Sequence, residues 1–188
     1  LNDAELVALL VKGDESAFKT LVNTYKKMVY NIVLGFVLHT GEAEDITQDV
    51  FIKIYENITD FKQQSKLSTW IYRISITQAI DFIRRRERRK KAGFFINFFG
   101  SKEELQAEPA DFLHPGVLAE NREQAAILFK AINRLPENQR TAFLLQKTQD
   151  CSQRQIAEIM QLSEGAVESL LSRAKQNLKK LLINYYSS

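Results

Sequence analysis

This chain has one cysteine, two histidines, three prolines, seven glycines and one tryptophan in 188 residues. Each shortage excludes something. A single cysteine, Cys151, rules out an intramolecular disulfide framework and a cysteine zinc site, and it fits a reducing compartment. The two histidines, His39 and His114, are far apart, in segments that read as loops. With no phosphate-cradling GxxxxGK[ST] and no nucleophile–base pair to place, no catalytic residue, metal site or cofactor is expected. No apolar run is long enough to span a bilayer and no signal peptide is visible, so the expected location is cytoplasmic, without membrane insertion. Few prolines and glycines leave long uninterrupted periodic segments. The expected fold is therefore all-α.

Charge of one sign is also scarce, except in one place. Arg84–Lys91 (RRRERRKK) carries +6 within a chain of net charge +3, so the remainder carries −3. So dense a basic run suits a polyanion, although solvated helix ends also look like this.

Helical periodicity is evident along the chain. A short helix opens at Leu6–Val11 and is followed by the turn Lys12-Gly13-Asp14. A long helix spans about Ser16 to Leu38, and His39-Thr40-Gly41 breaks it. A third covers about Ala43 to Ile58, with Ile46, Val50, Phe51, Ile54 and Tyr55 as its apolar stripe. Phe61–Leu67 reads as a loop. A fourth helix starts near Ser68 and runs into the basic segment. Composition changes at Gly93. Residues 93–122 include GFFINFFG, an acidic stretch and a Pro-Gly, which predicts a flexible linker. The Phe94–Phe99 cluster is unusual there, and packing onto the first domain is its favoured use. The predicted organisation is a first helical domain over 1–92, the linker over 93–122, and a second domain over 123–188.

The second domain is a predicted four-helix unit, and its end is the most informative segment: Ser152–Gln176, SQRQIAEIMQLSEGAVESLLSRAKQ. Ser152 with Gln155 three residues on is a capping-box start. Leu162 falls in a turn and Ser163 can cap the next helix. Val167, Leu170, Leu171, Ala174 and Leu178 form a buried stripe. The opposite face shows Glu164, Glu168, Ser169, Ser172, Arg173 and Gln176. This is a helix-turn-helix pattern, and Arg173 can reach a base edge in a major groove. An ordinary helical hairpin is the bland alternative.

Four segments in order, AEDITQDVFIKIY (43–55), STWIYRISITQAID (68–81), LPENQRTAFLL (135–145) and Ser152–Lys175, resemble the extracytoplasmic-function (ECF) sigma factors, the smallest sigma-70-type class. The resemblance covers nearly the whole chain outside the linker. It implies a first domain that binds the polymerase clamp and reads the −10 element, and a second that reads the −35 element. The implied partners are core RNA polymerase (the β′ clamp helices and the β flap), promoter DNA and an anti-sigma factor.

By spacing, Asp45, Gln48 and Asp49 share one polar helix face. On spacing alone a solvated face is the better reading; the resemblance makes it the clamp-docking face. The resemblance also implies that Ser65, Lys66 and Ser68, with Tyr72, Arg73, Thr77 and Gln78 on the following helix, hold a flipped −10 base. Arg84, Arg85, Arg88 and Arg89 suit duplex phosphates just upstream, which give affinity rather than sequence choice. Glu168, Ser169, Ser172, Arg173 and Lys175 are the implied −35 contacts. Two departures from the family pattern stand out. Thr77 and Glu168 occupy positions where many relatives have asparagine and a cation, so the preferred bases do not follow. Trp70 reads as core. Two rivals remain open at this level: a helix-turn-helix regulator that binds an operator without replacing the sigma subunit, and a helical interaction protein that never touches DNA.

Overall fold

The structure, a computed structural model, describes residues 2–97 and 122–186, and the side chains of 2–89 and 124–183. All regular structure in them is helical. The first domain holds α1 (Asp3–Val11), α2 (Glu15–Val37), α3 (Thr40–Glu56), a 3-10 turn (Ile58–Asp60) and α4 (Leu67–Asn97). The second holds α5 (Arg122–Asn133), α6 (Glu137–Thr148), α7 (Gln153–Met160) and α8 (Glu164–Tyr186).

Side-chain caps explain where several helices start earlier than periodicity suggests. α1 begins at Asp3, not Leu6, because Asn2 and Glu5 form a reciprocal capping box (2.9 and 3.0 Å). α3 begins at Thr40, not Ala43. His39 Nδ1 accepts from Glu42 N at 3.2 Å, so Thr40 and Gly41 lie inside the first turn instead of breaking the chain. The reversal between α2 and α3 rests on Leu38, which takes a left-handed conformation at φ 60°. α4 continues to Asn97, past Gly93, so helix extends into the segment expected as linker. The Phe94–Phe99 side chains lie outside the described residues.

The helix-turn-helix follows the expected caps. Ser152 Oγ accepts from Gln155 N at 3.3 Å and Gln155 Oε1 from Ser152 N at 2.8 Å. Gln161 closes α7 in the left-handed region, and Ser163 Oγ accepts from Ala166 N at 3.2 Å to open α8. Ser152→Ala removes one half of this box. It should lower stability by about 1 kcal/mol, measured by equilibrium unfolding. A loss below the error of the measurement would mean that packing, not the cap, sets the start of α7.

Leu21, Ile32, Leu34, Phe36, Ile54, Leu67 and Ile71 are fully buried in the first domain, and Ile132, Leu144, Leu145 and Ile156 in the second. These cores are continuous. α2 packs against α6, and α4 against α7, so the two domains meet along a seam.

Candidate nucleic-acid and polymerase interfaces

On α3, Ala43, Ile46, Val50, Phe51 and Ile54 are buried, and Asp45, Gln48 and Asp49 are exposed together on the far side. The same outward face continues to Ile52, three residues after Asp49, which is 55% exposed. Tyr55, expected in the buried stripe, is instead 47% exposed and sets its ring edge-on to Phe18 at 5.3 Å. Phe18, Ile52 and Tyr55 line a shallow apolar depression with Gly13, Glu15 and Lys19. The acidic face therefore adjoins an apolar patch, the combination that docks a basic, partly apolar protein surface. An isoleucine at a polar-face position was the available signal in the sequence.

The loop before α4 is anchored from both sides. Leu67 N donates to Asp3 Oδ2 at 3.3 Å, and Phe61 packs against Trp70 with ring centroids 5.3 Å apart. Trp70 is thus half core and half loop support. Lys66 is exposed, and Ser65 and Ser68 are partly so. Thr77 is exposed on α4, but its hydroxyl donates to Arg73 O at 2.8 Å, on its own helix. Gln78 is half-buried.

Tyr72 and Arg73 are placed differently from the rest of this group, because both are engaged at the seam. Tyr72 is buried, and its hydroxyl donates to Gln149 Oε1 at 3.2 Å. Burial pushes its phenol far above the usual tyrosine range. The Cys151 thiol interacts with the same phenol, and burial pushes that thiol up as well. The Arg73 guanidinium donates to Glu158 O at 2.7 Å and Ile159 O at 3.2 Å, in the last turn of α7.

The basic run divides. Arg84 forms a two-pronged contact with Glu137 of α6 (2.9 and 3.0 Å), and Arg86 pairs with Glu42 at 2.7 Å, tying α4 to α3. Arg85, Arg88 and Arg89 are exposed, the first two with their Nε on carbonyls one turn back.

On α8, Val167, Leu171, Ala174 and Leu178 are buried and Leu170 is half-buried. Glu168, Ser169, Ser172, Arg173 and Gln176 are exposed. Arg173 Nε donates to Ser169 O at 3.3 Å, which steadies the side chain along the helix. Lys175 turns away from this face. With Lys147 and Lys179 it rims an apolar groove floored by Leu128, Phe143, Leu178, Leu182 and Ile183.

Residues 21–89 match the Sigma-70 region 2 family and residues 125–178 the Sigma-70, region 4 family. The ECF RNA polymerase sigma factor SigW of Bacillus subtilis is 32% identical over 175 residues, 91% of each chain. The ECF RNA polymerase sigma-E factor of Escherichia coli (strain K12) is 31% identical over 176 residues, 94% of this chain and 92% of that one. Among solved structures, CnrH in complex with the cytosolic domain of CnrY aligns with a TM-score of 0.67 at 21% identity, over 97% of both chains. RpoE of Bartonella quintana, solved with the anti-sigma factor NepR, aligns at 0.62 and 24% identity, over 88% of this chain and 96% of that one. With a region 2 domain, a region 4 helix-turn-helix and such relatives along almost its whole length, this chain belongs to the ECF sigma factors of bacterial RNA polymerase.

Proposed function

We propose that this sigma factor docks on the β′ clamp helices through Asp45, Gln48, Asp49 and the adjoining Ile52. It captures a melted −10 strand on the loop and helix around Ser65, Lys66, Ser68, Tyr72, Arg73, Thr77 and Gln78, and reads a −35 duplex with α8. The observation that carries the reading is α8 itself. Its four-residue apolar stripe is buried, and the opposite face exposes Ser169, Ser172, Arg173 and Gln176, with no other element across it among the described residues. A helix so supported, following a short capped helix and a tight turn, enters a major groove with its outer side chains at base edges.

The division of labour follows from chemistry. Arg85, Arg88 and Arg89 supply exposed cations for phosphates, without regard to sequence. Strand capture needs stacking surfaces and polar groups beside them, which the half-buried Trp70 and the loop around Ser65 provide. Bond formation between nucleotides is left to the polymerase. The lysine-rimmed apolar groove fits an acidic, partly apolar segment, and we assign it to the β flap. An anti-sigma factor, present in the solved complex of the Bartonella quintana relative, is a further expected partner.

Run-off transcription tests the reading: core polymerase with this chain should initiate at discrete sites on a genomic library, and core polymerase alone should not. Sequence-specific DNA protection by the chain without polymerase, and no initiation with it, would make it an operator-binding regulator.

Thr77 permits a finer test. Its hydroxyl proton is donated to Arg73 O, so it presents a base with a methyl group and an acceptor oxygen but no free donor. Thr77→Asn adds an amide that both donates and accepts. It should change preference at one −10 base by about fivefold, the worth of roughly one net hydrogen bond. Competition between promoters differing at single −10 positions would show it, and an unaltered profile would place Thr77 outside the base pocket.

A further inference from the structure

We infer that Asp3 of α1 is a positioning residue for −10 strand capture: its carboxylate caps α4 from a distant part of the chain and so sets the heading of the loop that receives the strand. This rests on the proposed assignment of the loop around Ser65, Lys66 and Ser68 to that strand. α1 itself carries none of the contacts assigned above to DNA or polymerase.

The start of α4 lacks a cap of its own. The first N–H groups of a helix have no partner within it, and the side chain just before the helix commonly supplies an acceptor. Here that residue is Lys66, whose ammonium donates and cannot accept. Ser65 turns its hydroxyl to Lys66 O at 3.4 Å instead. The acceptor comes from 64 residues away, where Asp3 Oδ2 accepts from Leu67 N at 3.3 Å. Leu67 is fully buried, so water cannot take over if the carboxylate is removed. Asp3 also lies in the first turn of α1. One carboxylate thus stands at the N-terminal ends of two helices, and the dipole of each favours it. The Tyr25 phenol of α2 interacts with the same carboxylate; burial, then that carboxylate, push the phenol above the usual tyrosine range.

α1 holds the loop at both ends. Leu6, Val7 and Leu10 are buried, and the helix packs on α2 and on the 3-10 turn that leads into the loop. Apolar packing therefore fixes the entry, and Asp3 fixes the exit. Among the described residues, the bond to Asp3 is the loop's one hydrogen bond to a distant part of the chain. Between the two anchors, Lys62, Gln63, Gln64 and Lys66 are exposed. Gln63 lies in the left-handed region at φ 53°, a conformation that a glutamine keeps only where the surrounding chain holds it. A loop set in advance loses less affinity to ordering when a strand arrives. Lys66 stands one residue before the capped N–H and Ser68 one residue after it, so the cap bears directly on the groups assigned to the strand.

The test uses core polymerase with the full chain and a forked template made from one start site found by run-off transcription. The fork is duplex through the −35 element, with one −10 strand left single, each strand in turn. The duplex part alone is the comparison. Asp3→Ala should weaken fork binding about fivefold and narrow the preference among forks that differ at one −10 base, while duplex binding and polymerase association stay as in wild type. Asp3→Asn keeps an acceptor of the same size and should stay within about twofold of wild type. If Asp3→Ala loses helicity, Asp3→Ser, whose hydroxyl falls a bond short of Leu67 N, decides. Asp14→Ala controls for stability: it removes the cap of α2, where Asp14 Oδ1 accepts from Ala17 N at 2.9 Å, and leaves the loop untouched. It should bind the fork as wild type does. Equal loss of fork binding by Asp14→Ala would overturn the inference, because a weakened domain would explain both results. Equal loss by Asp3→Asn, or equal loss on fork and duplex, would overturn it as well. The double change Lys66→Ala with Ser68→Ala separates the inference from the reading beneath it. If that variant loses fork binding and Asp3→Ala does not, Asp3 has no positioning role and the −10 assignment stands. If neither loses it, the loop is not the strand site, and the −10 assignment falls together with the inference.

Discussion

Asp49→Arg should weaken association with core polymerase on the order of 100-fold at low salt, and by less as ionic strength rises. The carboxylate is exposed on α3, beside Asp45 and Gln48 and opposite the buried Ile46, Val50 and Ile54. Nothing in the core depends on it, so the fold should survive the change. A face that carries two carboxylates meets a basic partner surface. Replacing one carboxylate by a guanidinium turns an attraction into a repulsion, which at an interface costs about 2–3 kcal/mol or more. Because the site is at the surface, screening over a Debye length of roughly 10 Å at 0.1 M salt should reduce the effect. Asp60→Arg, exposed at the 3-10 turn, makes the same charge change elsewhere and should bind nearly as wild type. Ile52→Ala tests the apolar continuation of the face. It should weaken binding by several-fold with little salt dependence, since about 1 kcal/mol of lost apolar burial is not screened. Polymerase binding by Asp49→Arg equal to wild type would remove this face from the docking surface.

Arg173→Ala should reduce binding to a cognate −35 element by about 1–3 kcal/mol and relax the preference at one or two base pairs. Arg173 is exposed on α8 between Ser169 and Gln176 and is held along the helix by Ser169 O. A guanidinium so presented has the geometry for a bidentate contact with a guanine edge. The contrast is with Arg88 and Arg89 on α4. Replacing both by alanine should weaken binding alike across sequences and make the slope of log K against log salt shallower by up to about two. Both comparisons belong in the polymerase-bound state, where the domains are held on promoter DNA. A uniform loss for Arg173→Ala, with preference intact, would make Arg173 a phosphate contact and pass base reading to Glu168, Ser169 and Ser172. Glu168 is exposed on the same face. A carboxylate there accepts from a cytosine amino group or repels phosphate, so Glu168→Gln should keep acceptance and lift repulsion.

The helix-turn-helix is legible in the sequence alone. The Ser152–Gln155 box, the Ser163 cap and the Val167–Leu178 stripe all join residues within one or two helical turns, and such signals are written in consecutive residues. The order of the helices and the exposed face of Asp45, Gln48 and Asp49 followed from the same kind of evidence. Errors at helix starts had local causes too. His39 is an unusual cap, and Gly41 looks like a breaker until the Glu42 N–H is seen to be satisfied by the imidazole. Tyr55 was misplaced because a broad apolar stripe does not say where the neighbouring helix stops, and Phe18 covers only one edge of its ring.

The seam could not be read that way. Tyr72 meets Gln149, Arg73 meets Glu158 and Ile159, and Gly35 admits Leu144, all between residues far apart in the chain. No periodicity records such pairs, because each partner satisfies its own helix first and the meeting depends on how two finished domains pack. What the sequence determined by itself was two helical domains, the helix-turn-helix with the exposed face of α8, and the shared polar face of Asp45, Gln48 and Asp49. What the tertiary structure decided was the present use of Tyr72 and Arg73. A guanidinium donates equally well to a phosphate oxygen and to a backbone carbonyl, and only the position of α7 selects between them.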